Sequence, residues 1–280
     1  VIVISAATGE LGRLVVDNLL QRVPADDVAV AVRNPAKAAH LAATGVAVRY
    51  ADYNEPVSLR SAFAGADRLL FISSSDVESG TRVQQHRNVV DAAGAAGVGA
   101  IAYTSGLGAD VVDESVPVLG DHHVTERFIR DSGLALTILR NPIYSDFFIN
   151  PQLQAAIETG EVTSSTQGRG MNTATRADLA EAAAAAILDP QSIGRAYNFT
   201  GRLWSFPELA EVLSGVSGRP VSYQEVDSDE GIVAFLGLGS VIRAGGFESQ
   251  TPDLEQILGR PPTSLADAVA AAVRPTAADS

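Results

Sequence analysis

Val1-Ile2-Val3-Ile4-Ser5-Ala6-Ala7-Thr8-Gly9-Glu10-Leu11-Gly12 opens the chain. Four β-branched residues make a short strand apolar on both faces, and a turn with two glycines follows at once. From Gly12 to Arg22 apolar residues recur at helical spacing. Strand, glycine turn and helix in that order aim backbone N–H groups at a pyrophosphate, and the helix N-terminus adds partial positive charge. The pattern is Ala-x-x-Gly-x-x-Gly, with Ala6 where a glycine is usual. Ala6, Thr8, Gly9, Glu10, Leu11 and Gly12 are therefore the expected contacts to a dinucleotide. Alanine is tolerated at position 6 if its φ stays negative, at some cost in backbone approach.

Outward from this turn two periodicities alternate. Short apolar runs occupy Val28–Val32, Val46–Tyr50, Arg68–Ser73, Ala100–Thr104 and Ala135–Leu139. Between them Pro35–Thr44, Val57–Phe63, Val83–Ala96 and His122–Asp131 carry helical spacing. Buried strands alternating with amphipathic helices predict βαβ units and a parallel sheet covered on both faces. Right-handed crossovers then give an α/β, doubly wound, Rossmann-type domain over residues 1–140. After Arg140 the rhythm loosens, and 141–280 reads as a smaller, interleaved substrate-side domain, with 173–200 packing back onto the first. Thr175-Arg176-Ala177-Asp178 has the form of a helix start. Arg195–Thr200 reads as a strand, and Trp204–Ser214, Leu254–Leu258 and Ser264–Val273 as helices.

Composition removes whole classes of function. Among 280 residues, 20 basic against 33 acidic leave a net charge of -13, which repels a polyanion and argues against nucleic-acid binding. Zero cysteines exclude disulfides, thiolate zinc sites and iron–sulfur clusters. Lys37 is the sole lysine, so no Gly-Lys-Ser/Thr phosphate loop exists. The tyrosine-plus-lysine pair of the main short-chain dehydrogenases is equally impossible, because Tyr103 is followed by Thr104-Ser105-Gly106-Leu107. His122 and His123 point to different sides of a helix, and no metal site is expected. No apolar stretch approaches the roughly 20 residues of a membrane span. With no secretory signal pattern either, a cytoplasmic location is expected.

The end of the second strand selects the nucleotide. A carboxylate for the ribose 2′-hydroxyl of NAD would stand there, but the sequence is Val32-Arg33-Asn34-Pro35-Ala36-Lys37. Arg33 and Lys37, a turn apart, suit a 2′-phosphate and find no partner on NAD. Charge-assisted bonds of roughly 1.5–3 kcal/mol imply a preference for NADPH of about tenfold or more. Asp52, after the third strand, suits either the adenine amino group or a helix cap. Ser73, Ser74 and Ser75 after the fourth strand, with Thr104 and Ser105 after the fifth, lie at the strand ends where such sheets bind ligands, and they also suit turns.

Further segments fall in a familiar order: Leu70–Ser75, Gln85-His86-Arg87-Asn88, Tyr103-Thr104-Ser105, His122-His123-Val124-Thr125-Glu126, Leu139-Arg140-Asn141, Tyr144-Ser145 and Thr175-Arg176-Ala177-Asp178. With Ala6–Gly12 and the Arg33–Lys37 segment, the chain resembles the NmrA-like, atypical short-chain dehydrogenases, and among them the bacterial type-2 NADPH:quinone oxidoreductases. Similarity spans nearly the whole chain and is densest before about residue 180; Ala6 stands where the family has glycine. The resemblance implies NADP(H) as cofactor, no flavin or metal, and hydride transfer to a small-molecule quinone, a strong electrophile that needs positioning more than a tuned acid. The quinone pocket is expected between the strand ends and the second domain, walled by Asn141, Tyr144 and Phe147. Asn141 or Tyr144 would bond a quinone oxygen, and His122 or solvent would supply the proton. Gly237-Leu238-Gly239 and Gly245-Gly246 read as joints beside the pocket near Phe235 and Phe247, not as a second nucleotide loop. The alternative is an NmrA-like redox sensor that binds NADP(H) without turnover. Oligomeric state is not legible.

Overall fold

Five stretches of the first half are buried along almost their whole length, and they assemble side by side. The computed structural model describes residues 1–229, 233–234 and 237–273. Its elements begin with β1 (Ile2–Ser5), α1 (Glu10–Leu20), β2 (Val28–Val32), α2 (Ala39–Ala42), β3 (Ala47–Tyr50), α3 (Pro56–Phe63) and β4 (Arg68–Phe71). They continue with α4 (Ser79–Ala95), β5 (Ala100–Gly106), α5 (Leu119–Asp131), β6 (Ala135–Asn141), β7 (Ile143–Tyr144), α6 (Leu153–Thr159), β8 (Glu161–Ser164) and β9 (Met171–Ala174). Last come α7 (Arg176–Leu188), β10 (Ala196–Asn198), β11 (Leu203–Trp204), α8 (Phe206–Ser217), β12 (Ser222–Glu225), and three short helices, Gly239–Arg243, Asp253–Leu258 and Leu265–Ala272.

The chain divides into two units. The first comprises Val1–Asn141 and Leu179–Phe199. Its seven-stranded sheet has the order β10-β6-β5-β4-β1-β2-β3, and every neighbouring pair is parallel. This is the doubly wound Rossmann-type sheet expected from the alternating periods. β2 is buried at all five positions, as a strand covered on both faces must be. Val3, Phe63, Leu69, Phe71, Val89, Ile101, Tyr103 and Ile129 form the core on one side. From β1 the chain winds outward through β2 and β3, then returns to β4 on the other side of β1. The switch in strand order therefore lies between β1 and β4, where sheets of this kind open a crevice at the C-terminal strand ends.

The second unit comprises Pro142–Asp178 and Thr200–Ser280. Among its described residues β11, β9 and β7 form one small sheet and β12 with β8 another. Phe148, Met171, Trp204, Leu209 and Leu213 fill its core. The helix start at Thr175 forms as expected, with the Thr175 hydroxyl accepting from the Asp178 amide (3.1 Å). Trp204 departs from expectation. It lies in β11, where its indole N–H donates to Thr173 (2.8 Å), and the helix begins two residues later behind the Ser205 cap. A buried ring whose N–H has a partner in the sheet outweighs the helical spacing. No helix among the described residues is long and apolar enough to cross a membrane.

Candidate dinucleotide site

The turn after β1 is tight, and the backbone shows how. Gly9 is extended (φ -74, ψ 167) and stands as the N-cap of α1; its N–H donates to the Ala6 carbonyl (3.0 Å). A Cβ on Gly12 would lie 2.7 Å from Ala7 Cα, so only glycine lets α1 pack this close to the strand end. The first N–H groups of a helix have no intrahelical partner, and the N-cap, Gly9, makes no side-chain cap bond. Thr8, Gly9 and Glu10 are exposed, while Leu11 and Gly12 are buried. Leu11 can therefore offer a ligand its backbone alone. The condition for an easily tolerated alanine is not met: φ at Ala6 is 49, in the left-handed region. Closing the turn onto the Gly9 amide requires that conformation, and an L-residue holds it at a cost of about 1–2 kcal/mol.

Ser5 pairs with Ala31, so the chain leaves β1 and β2 side by side. Directly after β2, Asn34 accepts from the Ala36 amide (3.1 Å) and Pro35 opens a 3₁₀ turn over Pro35–Ala38. This turn carries Lys37, with Arg33 just before it. Both side chains are exposed, and among the described residues neither makes a hydrogen bond or ion pair. Two cations without a counter-charge among the described residues therefore follow β2, the strand paired with β1.

The other strand ends are more self-contained. Asp52 accepts from the Asn54 amide (2.9 Å) and side chain (3.2 Å) in a local turn; the first residue of α3 is preceded by Glu55, so Asp52 does not cap that helix. After β4, the Ser73 amide donates to the Thr104 hydroxyl (2.9 Å) and the Ser74 amide to His86 Nε2 (2.9 Å). Ser75 is exposed. Ser105 is buried, and its hydroxyl donates to Glu126 (2.7 Å). Glu126 also binds Arg140 through both oxygens (2.9 and 2.8 Å) and Arg130 (2.7 Å). Burial alone would raise the Glu126 pKa, but the bonds from Arg140 and Ser105 bring it below its ordinary value. The Ser105 hydroxyl is thus spent on a buried ion pair that ties β5, β6 and α5 together.

His122 is equally spent. It is buried, with Nε2 2.9 Å from the Arg82 guanidinium and Nδ1 2.7 Å from the Tyr103 hydroxyl. Arginine only donates, so Nε2 accepts and Nδ1–H faces the phenol. Burial, then the charge of Arg82, hold the imidazole well below 6.5. Expected as a proton source, His122 is instead a neutral ring with both nitrogens occupied. Gly106 makes room for it, since a Cβ there would lie 3.1 Å from the ring. His123, on the other side of the helix, bonds the Ala109 carbonyl (2.9 Å).

Asn141 ends β6 in the first unit. Its carbonyl accepts from the Leu107 amide (2.8 Å), and no hydrogen bond engages its side-chain amide among the described residues. Tyr144 and Phe147 belong to the second unit, where their rings stack at 5.9 Å and 22°. Arg176, which single-residue inspection of the sequence passes over, lies 4.7 Å from one ring centroid and 4.9 Å from the other. Phe147 is 40% exposed, so this cation–π stack is an open platform and not core. Phe235 lies outside the described residues. Gly239 opens a short helix; contrary to expectation a parallel strand does precede Gly237, since β12 ends at Glu225 and pairs parallel with β8.

A parallel sheet, a glycine turn whose close packing Gly12 permits, and a helix N-terminus at the switch point together have the form of a dinucleotide fold. The NAD(P)H-binding family profile matches residues 6–190. The chain belongs to that family. Quinone oxidoreductase 2 of Escherichia coli is 40% identical over 96% of this chain and 97% of its own. An NmrA-like family domain-containing oxidoreductase of Aspergillus flavus is 31% identical over 95% of this chain and 92% of that one. Among solved structures, the Citrobacter sp. triphenylmethane reductase complexed with NADP(H) matches with a TM-score of 0.90 and 37% identity, over 97% of this chain and all of that one. The NmrA-like resemblance read from the motifs is thereby established along nearly the whole length.

Proposed function

We propose that this member of the NAD(P)H-binding family is an NADPH-dependent oxidoreductase that passes hydride directly to a quinone, without flavin. One observation carries the choice of nucleotide. Arg33 and Lys37 follow β2, exposed and without a protein partner among the described residues, and a 2′-phosphate would give both cations a counter-charge. The α1 N-terminus takes the pyrophosphate, and Ser73–Ser75 with Thr104 border the same row of strand ends.

In the reaction NADPH loses a hydride, two electrons and a proton's mass, from its nicotinamide ring. The quinone gains that hydride and one proton to become the hydroquinone. With His122 buried and neutral, solvent supplies the proton. An acceptor this electrophilic needs orientation more than acid catalysis. Asn141, whose side-chain amide has no hydrogen bond among the described residues, suits a quinone oxygen; the Tyr144–Phe147 platform, taken within its own unit, suits a flat ring. The relative named as a quinone oxidoreductase supports this acceptor class.

Steady-state NADPH oxidation by the purified chain with a simple benzoquinone tests the reading. Turnover without added flavin, faster with NADPH than with NADH, is the expected result. Tight NADPH binding with no turnover across several quinones would overturn it in favour of a nucleotide sensor.

A further inference from the structure

Gln85-His86-Arg87-Asn88 is the segment of the sequence to which the proposed chemistry gives no task. In the structure Gln85, His86 and Asn88, midway along α4, gather three strand ends, while Arg87 stacks over Phe128. His86 Nε2 accepts the Ser74 amide (2.9 Å), and Gln85 Oε1 accepts the Ser74 hydroxyl (2.5 Å), both in the loop after β4. The Gln85 amide reaches Asn54 after β3 (3.2 Å), and Asn88 donates to the Tyr53 carbonyl (2.8 Å). The Tyr53 hydroxyl hydrogen-bonds Ser5 at the end of β1 (2.6 Å) and the Ile72 carbonyl after β4 (2.7 Å). Ser5 in turn accepts the Ile72 amide (3.0 Å). The strand order switches between β1 and β4, so this web spans the crevice at its floor.

The histidine has one workable state. Because Nε2 accepts, Nδ1 carries the proton and donates to the Thr125 hydroxyl (2.8 Å), which passes its own hydrogen to the Asp121 carbonyl (2.7 Å). His86 is fully buried, and Gln85 nearly so. Neither reaches solvent to do chemistry; both hold Ser74.

We propose that Gln85 and His86 are positioning residues for the dinucleotide: they fix the loop after β4 at the spacing from the β1 turn that lets both backbones meet the nucleotide. This rests on the dinucleotide reading of the crevice. It separates from the action of Arg33 and Lys37 by its selectivity. The web lies away from the 2′-phosphate, so its loss weakens NADPH and NADH by the same factor.

Dissociation constants for both nucleotides, with thermal midpoints, test this on the full chain. His86→Leu is expected to weaken NADPH and NADH alike by about three- to tenfold, the effect of one neutral hydrogen bond. His86→Gln restores an acceptor oxygen and recovers most of the loss. Gln85→Met, which keeps the stem and removes the bonds to Ser74 and Asn54, gives the same symmetric loss and decides the matter if His86→Leu does not fold. A lowered midpoint with unchanged dissociation constants would overturn the proposal and leave the dinucleotide reading standing. A wild-type chain that binds neither nucleotide would overturn both.

Discussion

Arg33 and Lys37 after β2, and Arg82 with His86 on α4 and His122 on α5, are two groups of basic side chains in the first unit. The first pair is exposed and has no partner among the described residues. The second group is buried: Arg82 donates to His122, which meets Tyr103, and His86 links Thr125 to Ser74, with only the Arg82 Nε lacking a hydrogen-bond partner in this group among the described residues. Charge left open to solvent is available to a ligand; charge and hydrogen bonds closed on themselves build shape. Residue type and position at a strand end do not distinguish these cases. Partners do.

Breaking the buried group should produce the largest effect. His122→Ala leaves Tyr103 without its ring partner and Arg82 without its acceptor, and a cavity beside Gly106. The expected loss is about 2–4 kcal/mol of stability, seen as a lower urea midpoint, with the NADPH/NADH selectivity unchanged. If stability holds and the maximal rate of quinone reduction collapses, the cluster takes part in chemistry and the contrast fails.

The pH dependence of stability sharpens the same contrast. His86 is pulled down to about 3, by burial first and by Arg82 second, and His122 also lies well below 6.5. Unfolded, both titrate near 6.5. Below that value the unfolded chain binds more protons than the folded one. Stability is therefore intact above about 6.5 and declines as the pH falls toward the folded value, by at most about 1.4 kcal/mol per pH unit for each histidine. Urea titrations between neutral and mildly acid pH should show this slope, and His86→Gln should flatten it. A slope unaltered by that substitution would show that His86 does not contribute to it.

The smallest effect belongs to the open side of the comparison, at the turn. Ala6→Gly removes a side chain from a left-handed position and should stabilise the chain by about 1 kcal/mol, with equal or tighter nucleotide binding. Thermal melts with and without NADPH would check both parts.

How far the sequence could be read follows from the same distinction. Alternating strand and helix periods are local, so the parallel sheet and the crossing helices were legible, as was the glycine turn that opens α1. Local pattern also marked Arg33 and Lys37, because their position after β2 is a matter of counting. What stayed hidden depends on partners far along the chain. Ser105 looks like a ligand contact until Glu126 and Arg140 close on it. His122 looks like an acid until Arg82 and Tyr103 take both nitrogens. The spacing His122-x-x-x-Glu126 does place two polar groups on one helix face, and with Gln85-His86 it was the available sign of a polar interior. The sign of φ at Ala6 is set by how the turn closes, which no residue identity reveals.

A titration of the wild-type chain and of the Arg33→Ala, Lys37→Ala double variant with NADPH and NADH tests the central claim most directly. The account predicts that the wild type holds NADPH at least about tenfold more tightly than NADH, and that the double variant loses this preference with its thermal midpoint unmoved. Equal affinity of the wild type for the two nucleotides, or a variant that weakens both alike, would contradict it.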